Sequence, residues 1–188
     1  MRINRVNAAI LKLIVVLAGG SLAAEDAFES GPQPGTELPA SFEPFVVTGA
    51  HAGDKYCLVC ENGLGPVVMI FAREPNDAVM ALLRRVDFAT TKHSIERLGS
   101  FAVFLSEKTG LDEELAAAAK KAALKHIILS IDSPEGPEGY KVSKEAEVTV
   151  VLYSGHKVKA SYAFKKDQLT DKGIDTIIGD LPKILSSK

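Results

Sequence analysis

The chain has 188 residues, with 22 Lys and Arg against 24 Asp and Glu, four His, two Cys and 46% hydrophobic residues. That balance excludes a disordered, fibrous or strongly basic chain and suits one globular domain with a real core.

The first residues follow a different pattern from the rest. Arg2 and Arg5 precede an apolar stretch from Ala8 to Ala18 that only Lys12 interrupts, and Gly19-Gly20-Ser21-Leu22-Ala23 supplies small side chains for cleavage. This predicts a secretory signal peptide over 1–23, cut after Ala23. The apolar run falls short of the roughly 18 residues a bilayer span needs, so no membrane anchor is expected after cleavage. Removing Arg2, Arg5 and Lys12 leaves 19 basic residues against 24 acidic ones, a net charge of about −5, which argues against nucleic acid as a partner. Export to the periplasm or beyond the cell would put both thiols in an oxidising compartment, where pairs tend to close.

Residues 24–44 are rich in Pro, Gly and Ser and carry no apolar period, so they are expected to form a flexible lead-in to a domain over 45–188. Phe45 to Thr48 and Lys55 to Val59 are expected to pair as a small N-terminal hairpin across the turn Gly49 to Asp54. Val67 to Phe71 is a continuous β-branched and aromatic run, the composition of a strand buried on both faces at the centre of a sheet.

Pro75-Asn76-Asp77 then starts a helix whose Val79, Leu82, Leu83, Val86 and Phe88 are expected to share its buried face. Phe101 to Leu105 is the next strand. Asp112-Glu113-Glu114 begins a second helix with acidic residues where the dipole favours them, and Lys120, Lys121 and Lys125 lie toward its other end. Ile127 to Ile131 is a third buried strand, followed by the acidic loop Asp132 to Gly139. Val148 to Tyr153 and Lys157 to Phe164 form a hairpin through Ser154-Gly155-His156, the second strand alternating as an edge would. Leu169 to Leu185 closes the chain as an amphipathic helix, with Pro182 disturbing its last turn.

The order is βαβαβ, a β-hairpin and a helix, which predicts an α/β fold with a mixed central sheet and helices on both faces. In order and sequence the chain resembles the thioredoxin-like superfamily, in its peroxiredoxin or alkyl hydroperoxide reductase variant. The residues that carry the resemblance are Val67-Val68-Met69-Ile70-Phe71 leading into a helix, the strands at Phe101 and Ile127, Tyr140-Lys141-Val142, and Val148 to Val158. The resemblance implies a working cysteine just after the central strand, where this chain has Ala72-Arg73-Glu74-Pro75-Asn76 and no cysteine. It also implies a cis proline before the hairpin strand, where this chain has Val148 beside Thr149. Arg73 is then expected to pair with Glu74 or Asp77 at the surface.

The chemistry that remains is Cys57-Leu58-Val59-Cys60, placed before the central strand. On a regular strand three residues span about 10 Å, whereas a disulfide needs Cα atoms within about 7 Å. The pair can close only if the backbone turns at Leu58-Val59, which ends the strand near Cys57. Three readings stand. The leading one is a binding or structural module in which Cys57 and Cys60 form a structural pair. The alternative is a thiol-disulfide oxidoreductase with Cys57 and Cys60 as a displaced catalytic site, lacking the helix dipole that would activate it. The minor one is metal binding through the pair, with His51 as a further ligand or a second copy of the chain supplying two more thiolates. No cofactor motif is present, and another protein is the partner class these readings leave open.

Overall fold

The computed structural model describes residues 28–185. The predicted signal peptide over 1–23 lies outside the described residues. Among the described residues no helix is long and apolar enough to cross a membrane.

Six strands form one sheet: β1 (Phe45–Val46), β2 (Val67–Ala72), β3 (Gly99–Leu105), β4 (Ile128–Asp132), β5 (Val148–Ser154) and β6 (Lys157–Phe164), in the spatial order β1-β4-β3-β2-β5-β6. β2, β3 and β4 run parallel, while β5 pairs antiparallel with β2 and β6 with β5. All six residues of β2 are buried, as a two-sided central strand requires.

The helices are α1 (Leu58–Asn62), α2 (Asp77–Lys92), α3 (Leu111–Lys121) and α4 (Asp171–Gly179). Both βαβ crossovers step the same way across the sheet, so α2 and α3 share a face, and α4 joins them over the β5–β6 hairpin. Val68 and Ile70 of β2, Leu82 and Leu83 of α2, Leu115 of α3 and Ile177 of α4 belong to this larger core. The opposite face is covered by α1 and by irregular chain. There Leu58 and Val59 meet Met69, Phe71, Phe101, Tyr140 and Tyr153. Helices thus lie on both faces, unequally.

Several boundaries differ from expectation. Asn76 caps α2 as expected, its Oδ1 accepting from the Val79 amide at 3.0 Å. Phe88, however, is 69% exposed. Two positions beyond Val86 is about 200° around a helix, which turns Phe88 away from the sheet. The closing helix stops at Gly179, and a single 3-10 turn, Leu181–Lys183, carries Pro182. The expected N-terminal hairpin is shorter than predicted. Val46 exchanges backbone bonds with Asp54 and Gly53, and Phe45 bridges to Lys55, but β1's strand partner is β4. Leu58 and Val59 are helical rather than extended, because both side chains then reach the same apolar face.

The lead-in is not loose chain where it is described. Ser30 and Gly31 are buried. Gly31 donates to Lys141 O, and the stretch from Gly35 to Leu38 exchanges backbone bonds with His156 and Val158, adding a short ribbon along the start of β6. A sheet edge offers unpaired amides and carbonyls, and this segment satisfies part of that row. Gly31 has φ +78, and a Cβ there would lie 2.8 Å from Thr149 Cγ2. Only glycine lets the ribbon come this close to β5.

Candidate functional site

Cys57 and Cys60 are joined as a disulfide with their Cα atoms 5.3 Å apart. The chain turns where the spacing demanded it, and the turn is α1. Cys57 is its N-cap, in extended conformation, and the Cys60 amide donates to Cys57 Sγ at 3.1 Å. The sequence argument that a pair placed before the central strand has no helix start beside it is therefore corrected. Even so, five residues carry little aligned dipole, and the specific interaction is that one amide.

Local chemistry holds α1 in place. Asn62 Nδ2 donates back to Leu58 O at 2.7 Å, and Gly63, at φ +52, returns its amide to Cys60 O. Asn62 also leans on the start of β3, where a Cβ on Gly99 would fall 1.8 Å from Asn62 Oδ1. Gly99 is thus required for α1 to dock. The consequence for the cysteines is asymmetric. Cys57 is half-buried and packs against the smaller core, whereas Cys60 is exposed.

A third element reaches this site from far along the chain. Gly155 and His156, both with φ near +58, form the two-residue turn between β5 and β6, the geometry that matches the twist of paired strands. The Gly155 amide donates to Leu64 O just after α1, and the Leu38 amide donates to His156 O. These bonds bring the turn beside the disulfide. Cys60, Val59, Glu37, Leu38 and His156 consequently line one concavity of about 280 Å³. Sequence reasoning placed His156 in the turn but not near the cysteines, since nothing local signals that approach.

The other histidines act as chain-end residues or stack. His51 lies flat against Tyr56, ring centroids 3.4 Å apart. Among the described residues no group of three or more His, Cys, Asp or Glu is arranged to hold a metal ion.

The far end of β2 is organised differently. β2 spans roughly 17 Å from Val67 to Ala72, so Arg73 sits across the sheet from the disulfide. Arg73 was expected to pair with Glu74 or Asp77. Instead its guanidinium donates to three backbone carbonyls, Ser143 O at 3.1 Å, Ala146 O at 3.3 Å and Pro134 O. Burial pulls its pKa below the ordinary value, and Glu135 opposes that shift. Three carbonyls need a planar, many-donor cation, which the acidic neighbours cannot replace. The position that the resemblance assigns to a working cysteine is occupied by a residue that ties down the 133–147 loop.

Solved structures with the same arrangement decide the fold. A Bacteroides thetaiotaomicron protein described as a candidate protein disulfide isomerase superposes with a TM-score of 0.62 at 14% identity, covering 85% of this chain and 96% of that one. Peroxidoxin BcpB from Mycobacterium tuberculosis superposes with a TM-score of 0.57 at 16% identity, covering 84% and 98%. The fold is thioredoxin-like. A secreted Mycobacterium tuberculosis disulfide oxidoreductase homologous to Escherichia coli DsbE shares this thioredoxin-like fold at a TM-score of 0.52 and 10% identity, covering 75% and 94%. No family model matches the chain, and no curated protein matches it in sequence. At these identities the likeness describes the thioredoxin-like scaffold, and activity has to be argued from the site.

Proposed function

We propose that this protein is an exported thiol-disulfide oxidoreductase that exchanges its Cys57–Cys60 disulfide with thiols of other proteins. The observation that carries the reading is the placement of the bond. Cys60 is exposed at the rim of an open concavity, where a partner's sulfur can reach it. A bond serving only as a staple gains nothing from such access. Thioredoxin-like neighbours that include oxidoreductases add support, as does the close pairing of two cysteines three positions apart. Export rests on the signal-like pattern of residues 1–23.

A structural staple is the second reading, favoured by one observation: Cys57, Leu58 and Val59 all pack into the smaller core. Titration separates the two. Purified mature protein is equilibrated across a glutathione series, and free thiols are counted by mass after alkylation, with metal content measured alongside. Exchange activity predicts a midpoint between about −180 and −260 mV, whereas a staple stays closed to below about −300 mV. Bound zinc or iron in the reduced protein would instead favour metal binding through the pair.

A further inference from the structure

The two sulfurs differ in a way that orders the exchange. Resting on the exchange activity proposed above, we infer that Cys60, the second cysteine of the pair, receives the incoming thiolate and that Cys57 is the leaving group. A thiolate attacks a disulfide along the line of the S–S bond, from the side opposite the sulfur that leaves. Cys60 is exposed and lines the concavity shared with Glu37, Leu38 and His156, which leaves room for an incoming thiolate on its side of the bond. Cys57 is half-buried and packs against the core containing Leu58 and Val59, which leaves less room for a thiolate there. Access alone therefore favours Cys60.

The hydrogen bonding points the same way. The Cys60 amide lies 3.1 Å from Cys57 Sγ and donates to it. When the bond opens, Cys57 Sγ takes up negative charge, and a donor already in place stabilises it. No hydrogen bond to Cys60 Sγ is present among the described residues. The more stabilised thiolate is the better leaving group.

The step balances without another reagent. A partner thiolate forms a new S–S bond to Cys60 as the Cys57–Cys60 bond breaks, and the electron pair of the broken bond stays on Cys57. A second thiolate of the same partner then attacks the partner's own sulfur in the mixed disulfide and releases Cys60. Two electrons pass from the partner dithiol to the protein, which ends as the dithiol. The partner class is a protein with two neighbouring thiols, with the first one on a segment narrow enough to enter the concavity.

The test uses oxidised, full-length mature protein and glutathione as the attacking thiol. The reaction is quenched in acid within its first turnover, free thiols are capped with an alkylating reagent, and fragmentation of the peptide containing both cysteines locates each group. The expected result is glutathione on Cys60 and the alkyl group on Cys57, in excess by roughly tenfold or more. Glutathione mainly on Cys57, or equally on both, overturns the order while leaving the exchange activity standing. A bond that glutathione opens only after denaturation overturns both.

Discussion

The hydroxyls of Ser30 and Thr149 meet at 2.7 Å in the interior, joining the start of the described chain to the start of β5. Ser30 Oγ also accepts from the Ser143 amide at 2.9 Å, so one side chain anchors the N-terminal ribbon to both β5 and the loop before it. Ser30→Ala leaves the Ser143 amide and the Thr149 hydroxyl without that partner. The expected cost is about 1–3 kcal/mol, read as a fall in the denaturant midpoint at unchanged slope. An unaltered midpoint would show that the Ser30 hydroxyl's two hydrogen bonds contribute nothing to stability.

Asp87 of α2 performs a similar role between elements. Its Oδ1 accepts from three successive amides, Lys125 at 2.9 Å, His126 at 2.7 Å and Ile127 at 2.9 Å, in the turn that leads into β4. A carboxylate shared by three amides is difficult to replace, and Asp87→Ala should cost about 3 kcal/mol. For a domain of this size that corresponds to a fall of roughly 6–12 °C in Tm. Thermal unfolding monitored by circular dichroism is the measurement, and a change under about 2 °C would remove the assigned role.

The tie between Arg73 and the 133–147 loop predicts a local effect. Arg73→Ala removes the donor from Pro134 O, Ser143 O and Ala146 O, at an expected cost of about 2 kcal/mol. Hydrogen exchange should quicken in 133–147 and remain slow in β2 and β3. Lysine at this position restores less than half of the loss, because one ammonium cannot serve three separated carbonyls. Exchange that quickens uniformly would mean that Arg73 supports the whole domain instead.

Alkaline pH should weaken the fold through its buried phenols. Burial pushes Tyr140 from its usual 10.0 up to about 12, and burial, with Tyr140 nearby, raises Tyr153 as well. Below pH 10 both states hold the proton and stability is unaffected. Between about pH 10 and 12 the unfolded chain ionises while the native one does not, so the unfolded state binds fewer protons and stability falls as pH rises. Tyr140→Phe should reduce the alkaline slope and change stability at neutral pH by less than about 1 kcal/mol, since among the described residues the Tyr140 hydroxyl has no hydrogen-bond partner to orphan. Chemical denaturation at pH 8 and pH 11 measures this, and an unchanged slope in the variant would shift the cause to other groups.

Part of the site was legible in the chain. The spacing of Cys57 and Cys60 demanded a turn if they were to pair, and the turn is there at a Cα separation of 5.3 Å. That the turn is a short helix was hidden by Leu58 and Val59, whose apolar, partly branched side chains read locally as strand. Their burial against Met69 and Phe71 overrides that preference. The approach of His156 was invisible for a different reason: it follows from the register of β5 against β2 and from bonds to Leu64 and Leu38, none of which leaves a local pattern.

By itself the sequence determined the element order from β2 onward, the two-sided burial of β2, the β5–β6 hairpin and the absence of a cysteine after the central strand. Each of these depends on periodicity, turn residues or identity within a few positions, which is the range over which a linear chain displays its physics. Tertiary structure alone decided that the proline-rich lead-in becomes a ribbon on β6, that Arg73 serves three carbonyls, and that Cys60 faces solvent while Cys57 faces the core. Those outcomes depend on which side chain satisfies a polar group or fills a space far away in the chain, and such pairings are settled only when the sheet closes.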